Sequence, residues 1–189
     1  YRLPAIQEAG DGVLLDHTGA ERRLGELTRG SVTVLSFIYT RCNAARACPF
    51  ATGVLNQVHL AAGADPALAG RLRLVSVSFD PGHDTPDRMA AYSEWARARE
   101  IAVPWHFLTA RSQAELDPVL KSYGQVVDRR RRIGDARGPL NHVLRVFLID
   151  EAGRVRNVYS ADTLDVRLVL GDVRTLLLER ASGEPGADS

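Results

Sequence analysis

Three continuous apolar runs along the chain predict strands that are buried on both faces. They are VTVLSFIYT at 32–40, RLVSVSF at 73–79 and LRVFLI at 144–149, and all are rich in β-branched or aromatic residues. A strand with one face in water would instead alternate apolar and polar residues. The three runs therefore predict the interior of a sheet that other elements cover.

Segments with helical spacing of apolar residues separate these strands. In the second of them, Thr85 suits the N-cap position and Pro86 the first helical position. The predicted helices span about 49–62, 86–99, 112–123 and, at the end of the chain, 164–180.

Turn residues predict two hairpins. The sequence EAGR at 151–154 predicts a turn from the third buried strand into a strand at about 155–160. Glycines near 10–12 and 19 predict a hairpin of short strands before the first buried strand. This order of elements predicts an α/β protein with a thioredoxin-like fold, in which helices flank a central mixed sheet and the N-terminal hairpin is an extension. We expect one domain over 1–180 and a disordered tail over 181–189.

Composition and charge exclude some function classes. A chain of this length buries roughly 70% of its unfolded surface, so its two cysteines are not needed as a scaffold. The net charge of +1 argues against a nucleic-acid binder. The basic run Arg129–Arg132 is expected to be a solvated loop, with a docking patch for an acidic partner as the alternative.

No apolar stretch is long enough to cross a membrane, and because the chain starts at Tyr1 we expect any anchor to lie outside this sequence.

Cys42 and Cys48 lie just past the first buried strand, in a loop that leads into a helix. Functional sites of α/β sheets gather in such loops, and a helix N-terminus favours a thiolate. The pair can cycle between dithiol and disulfide, or bind a soft metal such as Cu(I). Because five residues intervene, Asn43–Ala47 must form a loop for the sulfurs to converge. A structural disulfide and two unrelated buried thiols are the alternatives.

One of the five histidines has a topological reason to approach the cysteines. His142 immediately precedes the third buried strand. A thioredoxin-type sheet runs that strand antiparallel to the first, so its start lies beside the cysteine loop. The others are expected to be surface or satisfied core residues: His17, His59, His83 and His106.

Two aspartates follow the second buried strand in the sequence DPGHDTP at 80–86. We expect Asp80 and Asp84 to form Asx turns and to cap the helix that Pro86 opens. An electrostatic role beside the cysteine site is the alternative.

Three segments, taken in order, resemble the Sco (SenC) family. They are VLSFIYTRC…CP, SVSFDPGHDTP and NHVLRVFLIDEAGRV. The family pattern is a strand ending in Tyr/Phe-Thr-x-Cys, a strand ending in Asp-Pro-x-x-Asp-Thr-Pro, and Asp-His before a strand ending in Leu-Ile-Asp. The resemblance covers about residues 12–180.

The resemblance implies a thioredoxin-like fold and a periplasmic or other extracytoplasmic location, with a membrane anchor. It implies a copper metallochaperone that assembles the dinuclear copper centre of cytochrome c oxidase. The partner would be the copper-bearing subunit of that oxidase, or another copper or thiol protein. Carried over by position, the ligands of Cu(I) or Cu(II) would be Cys42, Cys48 and His142. We expect a monomer.

Two positions depart from the family pattern. The family has three residues between its cysteines where this chain has five, and Asn141 stands where the family has aspartate. The alternative function is therefore a thiol–disulfide oxidoreductase without copper, whose catalytic pair would be Cys42 and Cys48. The absence of C-x-x-C spacing counts against it. A third candidate function, that of a thiol peroxidase, is the least favoured of the three.

Overall fold

The computed structural model describes residues 1–44, 47–129 and 139–181. The strands in these ranges are β1 (Gln7–Glu8), β2 (Val13–Asp16), β3 (Glu21–Arg23), β4 (Val32–Ile38), β5 (Leu72–Ser78), β6 (Trp105–Thr109), β7 (Val127–Arg129), β8 (Leu140–His142), β9 (Val146–Ile149) and β10 (Arg154–Tyr159). The helices are α1 (Leu24–Leu27), α2 (Cys48–Gly63), α3 (Pro86–Arg97), α4 (Gln113–Ser122) and α5 (Val166–Ala181).

Within the described residues, the main sheet has eight strands in the order β1-β10-β9-β4-β5-β6-β2-β3. At its centre β4, β5 and β6 are parallel, and β9 pairs antiparallel with the other side of β4. β7 and β8 form a separate antiparallel pair. The predicted α/β class with a central mixed sheet is confirmed.

Polar side chains inside the central strands form hydrogen bonds with one another. All of β4 is buried, yet it contains Ser36, whose Oγ lies 2.9 Å from Oγ of Ser76 on β5. The indole N–H of Trp105 donates to Ser76 Oγ at 3.0 Å. Because an unpaired buried hydroxyl costs about 1–3 kcal/mol, these hydrogen bonds allow serines in strands that are otherwise apolar.

Helices cover both faces of the sheet. On one face, His59 of α2 and Trp95 of α3 pack edge-on against Trp105 of β6, with ring centroids 5.3 and 5.5 Å away. α5 packs beside α2. On the other face, Tyr123 at the end of α4 packs on Phe37 of β4, with ring centroids 5.4 Å apart. Within the described ranges, no helix combines the length and apolar character needed to cross a bilayer.

Most predicted elements are confirmed, with small shifts at their ends. The three buried runs form β4, β5 and β9, and the two predicted hairpins are β2–β3 and β9–β10. α2 begins at Cys48, one residue earlier than predicted. Thr85 is the N-cap of α3, but its side chain accepts no capping hydrogen bond. The N-terminal hairpin also joins the main sheet, because β2 pairs with β6.

Two predictions fall partly outside the described residues. α5 continues through Ala181, so the predicted tail does not begin at that residue, and 182–189 lie outside the described ranges. Arg129 ends β7, whereas the rest of the arginine run, 130–132, lies outside them.

Leu74→Ala is expected to lower the free energy of unfolding by about 2–5 kcal/mol. Leu74 lies on β5 at the centre of the sheet and is fully buried, so its truncation leaves a cavity there. The matched control is Leu168→Ala on α5, whose side chain is 41% exposed and whose loss should change stability by no more than about 0.5 kcal/mol. Chemical denaturation compares the two variants, and equal losses would contradict the central position of Leu74.

Candidate functional site

The cysteine loop begins where β4 ends. The N–H of Cys42 donates to the carbonyl of Tyr39 at 3.2 Å, which forms a turn. Cys48 is the first residue of α2. Between the cysteines, the described residues 43, 44 and 47 belong to neither helix nor strand, and 45–46 lie outside the described ranges. The described part of this segment is therefore a loop, as predicted.

His142 lies on β8, which belongs to a short antiparallel strand pair that was not predicted from the sequence. β8 pairs antiparallel with β7, and His142 is opposite Val127. His142 was predicted directly before a strand starting at 144, whereas it ends β8, and β9 begins only at Val146. β9 does run antiparallel to β4. The topological reason for bringing His142 to the cysteines is therefore confirmed.

The three predicted site residues converge. Sγ of Cys48 lies 3.4 Å from Nε2 of His142, and one ligand atom from each of Cys42, Cys48 and His142 lies within 4.8 Å of the others. Both cysteines are buried and both thiols are free. Because the two sulfurs lie next to each other, the alternative of two unrelated buried thiols does not describe this structure.

Aromatic side chains hold the imidazole of His142 in place. Its ring packs against Phe79, with centroids 4.6 Å apart, and edge-on against Tyr39 at 6.1 Å. The hydroxyl of Tyr39 donates to the carbonyl of Leu140 at 3.1 Å, which ties β8 to the end of β4. Tyr39 and Phe79 were predicted as strand residues, without contacts to His142. Their position at the carboxyl ends of β4 and β5, next to the cysteine loop, is the sequence feature that could have indicated a role at this site.

The two thiols differ in acidity. A hydrogen bond from the Cys48 thiol, together with bonds from His142 and from the backbone N–H groups of Cys48 and Ala44, lowers the pKa of Cys42 to about 4 despite its burial. The pKa of Cys48 is raised, because its thiol donates to Cys42 and is buried. The helix N-terminus alone would favour a thiolate at Cys48. The hydrogen bond between the thiols instead makes Cys42 the thiolate at neutral pH.

A groove of about 360 Å³ opens onto both sulfurs. The cysteines are only 7% and 2% exposed, so the groove is an approach to them for a ligand or a partner. Its walls come from the segment that follows β4, from the N-terminal half of α2 and from α3: Tyr39, Thr40, Pro49, Thr52, Gly53, Asn56, Tyr92 and Trp95.

Comparison with protein families identifies relatives of the chain. The sequence profile described as SCO1/SenC matches residues 5–178. The chain belongs to the SCO1/SenC family. Among curated proteins, no sequence relative matches it.

Solved structures share the fold of this SCO1/SenC chain at low sequence identity. A SCO1/SenC family lipoprotein from Bacillus anthracis is 23% identical with a TM-score of 0.76, over 92% of this chain and 97% of the other. Bradyrhizobium japonicum ScoI with copper bound is 23% identical with a TM-score of 0.71, over 89% and 98%. BsSco, described as having a disulfide switch and as a member of a family of cytochrome c oxidase assembly proteins, is 23% identical with a TM-score of 0.70, over 91% and 95%. The predicted thioredoxin-like fold is confirmed.

In this SCO1/SenC chain, a second group of acidic and histidine side chains lies beside the cysteine loop. Ligand atoms of Asp80, His83 and Asp84 lie within 4.8 Å of one another. Asp80 forms an ion pair with Arg41 at 2.6 Å. α3 has no side-chain cap, and the carboxylate of Asp84 bonds mainly outside its own loop. The capping prediction for the two aspartates is therefore wrong, because both carboxylates hold neighbouring segments instead.

The remaining histidines are not part of the sulfur site. His59 is buried, and its Nε2 lies 2.8 Å from the carbonyl of Val103, while its Nδ1 has no hydrogen-bond partner within the described part of the chain. Burial lowers the pKa of His59 and of His106. His17 lies in the turn between β2 and β3. None of the three belongs to a group of possible metal ligands among the described residues.

Proposed function

We propose that this SCO1/SenC chain is a copper metallochaperone that holds copper through Cys42, Cys48 and His142. The observation that carries the proposal is the convergence of two sulfurs and one imidazole nitrogen within 4.8 Å. Metal bonds of about 2.0–2.3 Å to such ligands leave two ligand atoms on one ion at most about 4.6 Å apart. The donor set therefore fits a single metal ion with only small side-chain adjustment.

The chemistry of the donor set favours copper. Two thiolates bind Cu(I), and the imidazole adds a nitrogen ligand that suits Cu(II) as well. Cys42 already has a pKa of about 4, whereas Cys48 must lose its proton to become a ligand. Copper binding is therefore accompanied by proton release and weakens as the pH falls.

The proposed recipient is the copper-bearing subunit of cytochrome c oxidase or another copper or thiol protein. The description of BsSco as a member of a family of cytochrome c oxidase assembly proteins supports this choice. The Bacillus anthracis relative is described as a lipoprotein, which supports a membrane-anchored, extracytoplasmic or periplasmic protein. We propose that the chain acts as a monomer.

Anaerobic titration of the reduced protein with Cu(I) tests the proposal. We expect one tightly bound copper per chain, because the described residues contain one Cys-Cys-His group. Thiolate-to-copper charge-transfer absorption is expected in the Cu(II) form. The double variant Cys42→Ser/Cys48→Ser, checked for folding by circular dichroism, should bind none. Failure of the wild-type protein to retain copper would contradict the proposal.

A second candidate is a thiol–disulfide oxidoreductase, which the unequal acidity of two adjacent free thiols favours. The Cys42 thiolate would attack a partner disulfide and release one partner thiolate. The Cys48 sulfur would then attack Cys42 and release the second partner thiol, so that two electrons pass to the partner and a Cys42–Cys48 disulfide forms. Stoichiometric reduction of a partner disulfide by the reduced, metal-free protein, with formation of the Cys42–Cys48 disulfide, tests this candidate. If the protein binds copper but reduces no partner disulfide, this candidate is excluded.

A further inference from the structure

The carboxylate of Asp84 connects three segments around the cysteine loop. Its side chain is fully buried. One oxygen accepts from the hydroxyl of Thr40 and from Nδ1 of His83, and the other accepts from the backbone N–H of Thr40 at 3.0 Å and from the hydroxyl of Ser78 at 2.6 Å. We call this set of four hydrogen bonds the Asp84 clamp.

The Asp84 clamp is not arranged as a second metal site. A carboxylate offers about four acceptor positions, and four protein donors occupy them at Asp84. The neighbouring Asp80 is already paired with Arg41 at 2.6 Å. The carboxylates of Asp80 and Asp84 therefore bind groups of the protein itself, although they lie close to His83 and to each other.

The Asp84 clamp acts on the backbone that carries Cys42. Thr40 is two residues before Cys42, and Asp84 holds both its N–H and its hydroxyl from a loop 44 residues further along the chain. The hydrogen bond from the Cys42 N–H to the Tyr39 carbonyl closes the turn that includes Thr40. After Cys42, the described residues as far as α2 form neither helix nor strand. The Asp84 clamp therefore fixes the backbone on the N-terminal side of Cys42.

We propose that Asp84 is a positioning residue, which keeps the Cys42 sulfur within reach of Cys48 and His142 by fixing Thr40. It thereby offsets the freedom that the five-residue separation of the cysteines would give to the loop. The expected effect of Asp84 on copper affinity rests on the proposed function. Its expected effect on the acidity of the Cys42 thiol does not.

Asp84→Asn tests the proposal, because it keeps the size of the side chain but replaces one acceptor oxygen with a donor that faces other donors. We expect the affinity for Cu(I) to fall by about 10- to 100-fold, as is typical when a group that orients a metal ligand is lost. The charge-transfer absorption of the Cu(II) form should also change, since it reports on the sulfur–copper arrangement.

The matched control is Asp172→Asn on α5. Asp172 is also buried, and it accepts hydrogen bonds from the Tyr159 hydroxyl at 2.6 Å and from Asn157 at 2.8 Å, away from the cysteines. This variant should lose stability as Asp84→Asn does. It should bind copper with the affinity and spectrum of the wild-type protein, which separates positioning from general destabilisation.

A second readout uses the reduced, metal-free protein. The low pKa of Cys42 depends on hydrogen bonds from Cys48, His142 and nearby backbone, so displacement of its sulfur should raise the pH midpoint of Cys42 alkylation. We expect a rise of about one pH unit or more in Asp84→Asn and none in Asp172→Asn. If Asp84→Asn does not fold, Thr40→Val removes only the hydroxyl bond and should shift the midpoint less in the same direction, and Thr40→Ser should restore it.

A folded Asp84→Asn or Thr40→Val variant whose alkylation midpoint and copper affinity equal those of Asp172→Asn would overturn the proposal. If the wild-type protein binds no copper but the midpoint still shifts in Asp84→Asn, the proposed function fails and the positioning role stands.

Discussion

His142→Ala is expected to abolish stable Cu(II) binding and to leave the Cys42–Cys48 disulfide able to form. The imidazole is the only nitrogen ligand of the proposed site, and its Nε2 lies 3.4 Å from Sγ of Cys48. Loss of a direct ligand should weaken Cu(II) binding by more than about 100-fold, since groups that only orient ligands already contribute 10- to 100-fold. Cu(I) binding should weaken less, because both thiolates remain. Titration with each copper form measures the two effects.

His17→Ala is the matched control, since His17 lies in the β2–β3 turn, outside the sulfur site. It should bind both forms of copper as the wild-type protein does. Air oxidation followed by thiol counting should give the same disulfide in all three proteins. Unchanged Cu(II) binding by His142→Ala would remove His142 from the ligand set and favour the oxidoreductase candidate.

The central part of the fold could be predicted because burial on both faces leaves a direct pattern in the sequence. β4, β5 and β9 are continuous apolar runs, and helices with apolar faces lie between them. That order of elements was enough to predict that β9 runs antiparallel to β4. The approach of His142 to the cysteines followed from this topology alone.

Features that depend on side-chain contacts between distant segments could not be predicted in the same way. The strands of the β7–β8 pair are only three residues long each and show no apolar alternation. The bonds from Thr40 to Asp84 join residues 44 positions apart, and nothing in the local pattern of either segment marks them. The sequence showed Asp84 in a turn-forming loop, where capping is the ordinary role, whereas the fold directs its carboxylate to the cysteine loop.

The choice of thiolate is a further feature that spacing could not decide. A helix N-terminus favours a charged sulfur at Cys48, but the hydrogen bond between the two thiols lowers the pKa of Cys42 instead. This bond exists only because the loop lets the two sulfurs meet. The difference in acidity is therefore a product of the tertiary structure.

The second large effect is expected in the pH dependence of Cys42. In a Cys48→Ser background the serine hydroxyl still donates to the Cys42 sulfur, so the alkylation rate of Cys42 should be constant down to about pH 5 and fall below its pKa of about 4. A thiol with an ordinary pKa of 9.0 would be only about 1% ionised at pH 7. In Cys48→Ala the donor that lowers this pKa most is absent, and the midpoint should rise by about one unit or more.

The same pKa predicts how the stability of the reduced, metal-free protein depends on pH. Because the pKa of Cys42 is lower in the folded state, about 4 against 9.0, its thiolate stabilises the fold fully above about pH 9 and progressively less as the pH falls to 4. The raised pKa of Cys48 has the opposite sign and acts only above pH 9. The difference in unfolding free energy between wild type and Cys42→Ser should therefore increase from pH 4 to pH 9. A difference that does not vary with pH, together with equal alkylation midpoints in the two Cys48 variants, would show that Cys42 carries no stabilised thiolate and would leave copper binding to depend on deprotonation of both cysteines.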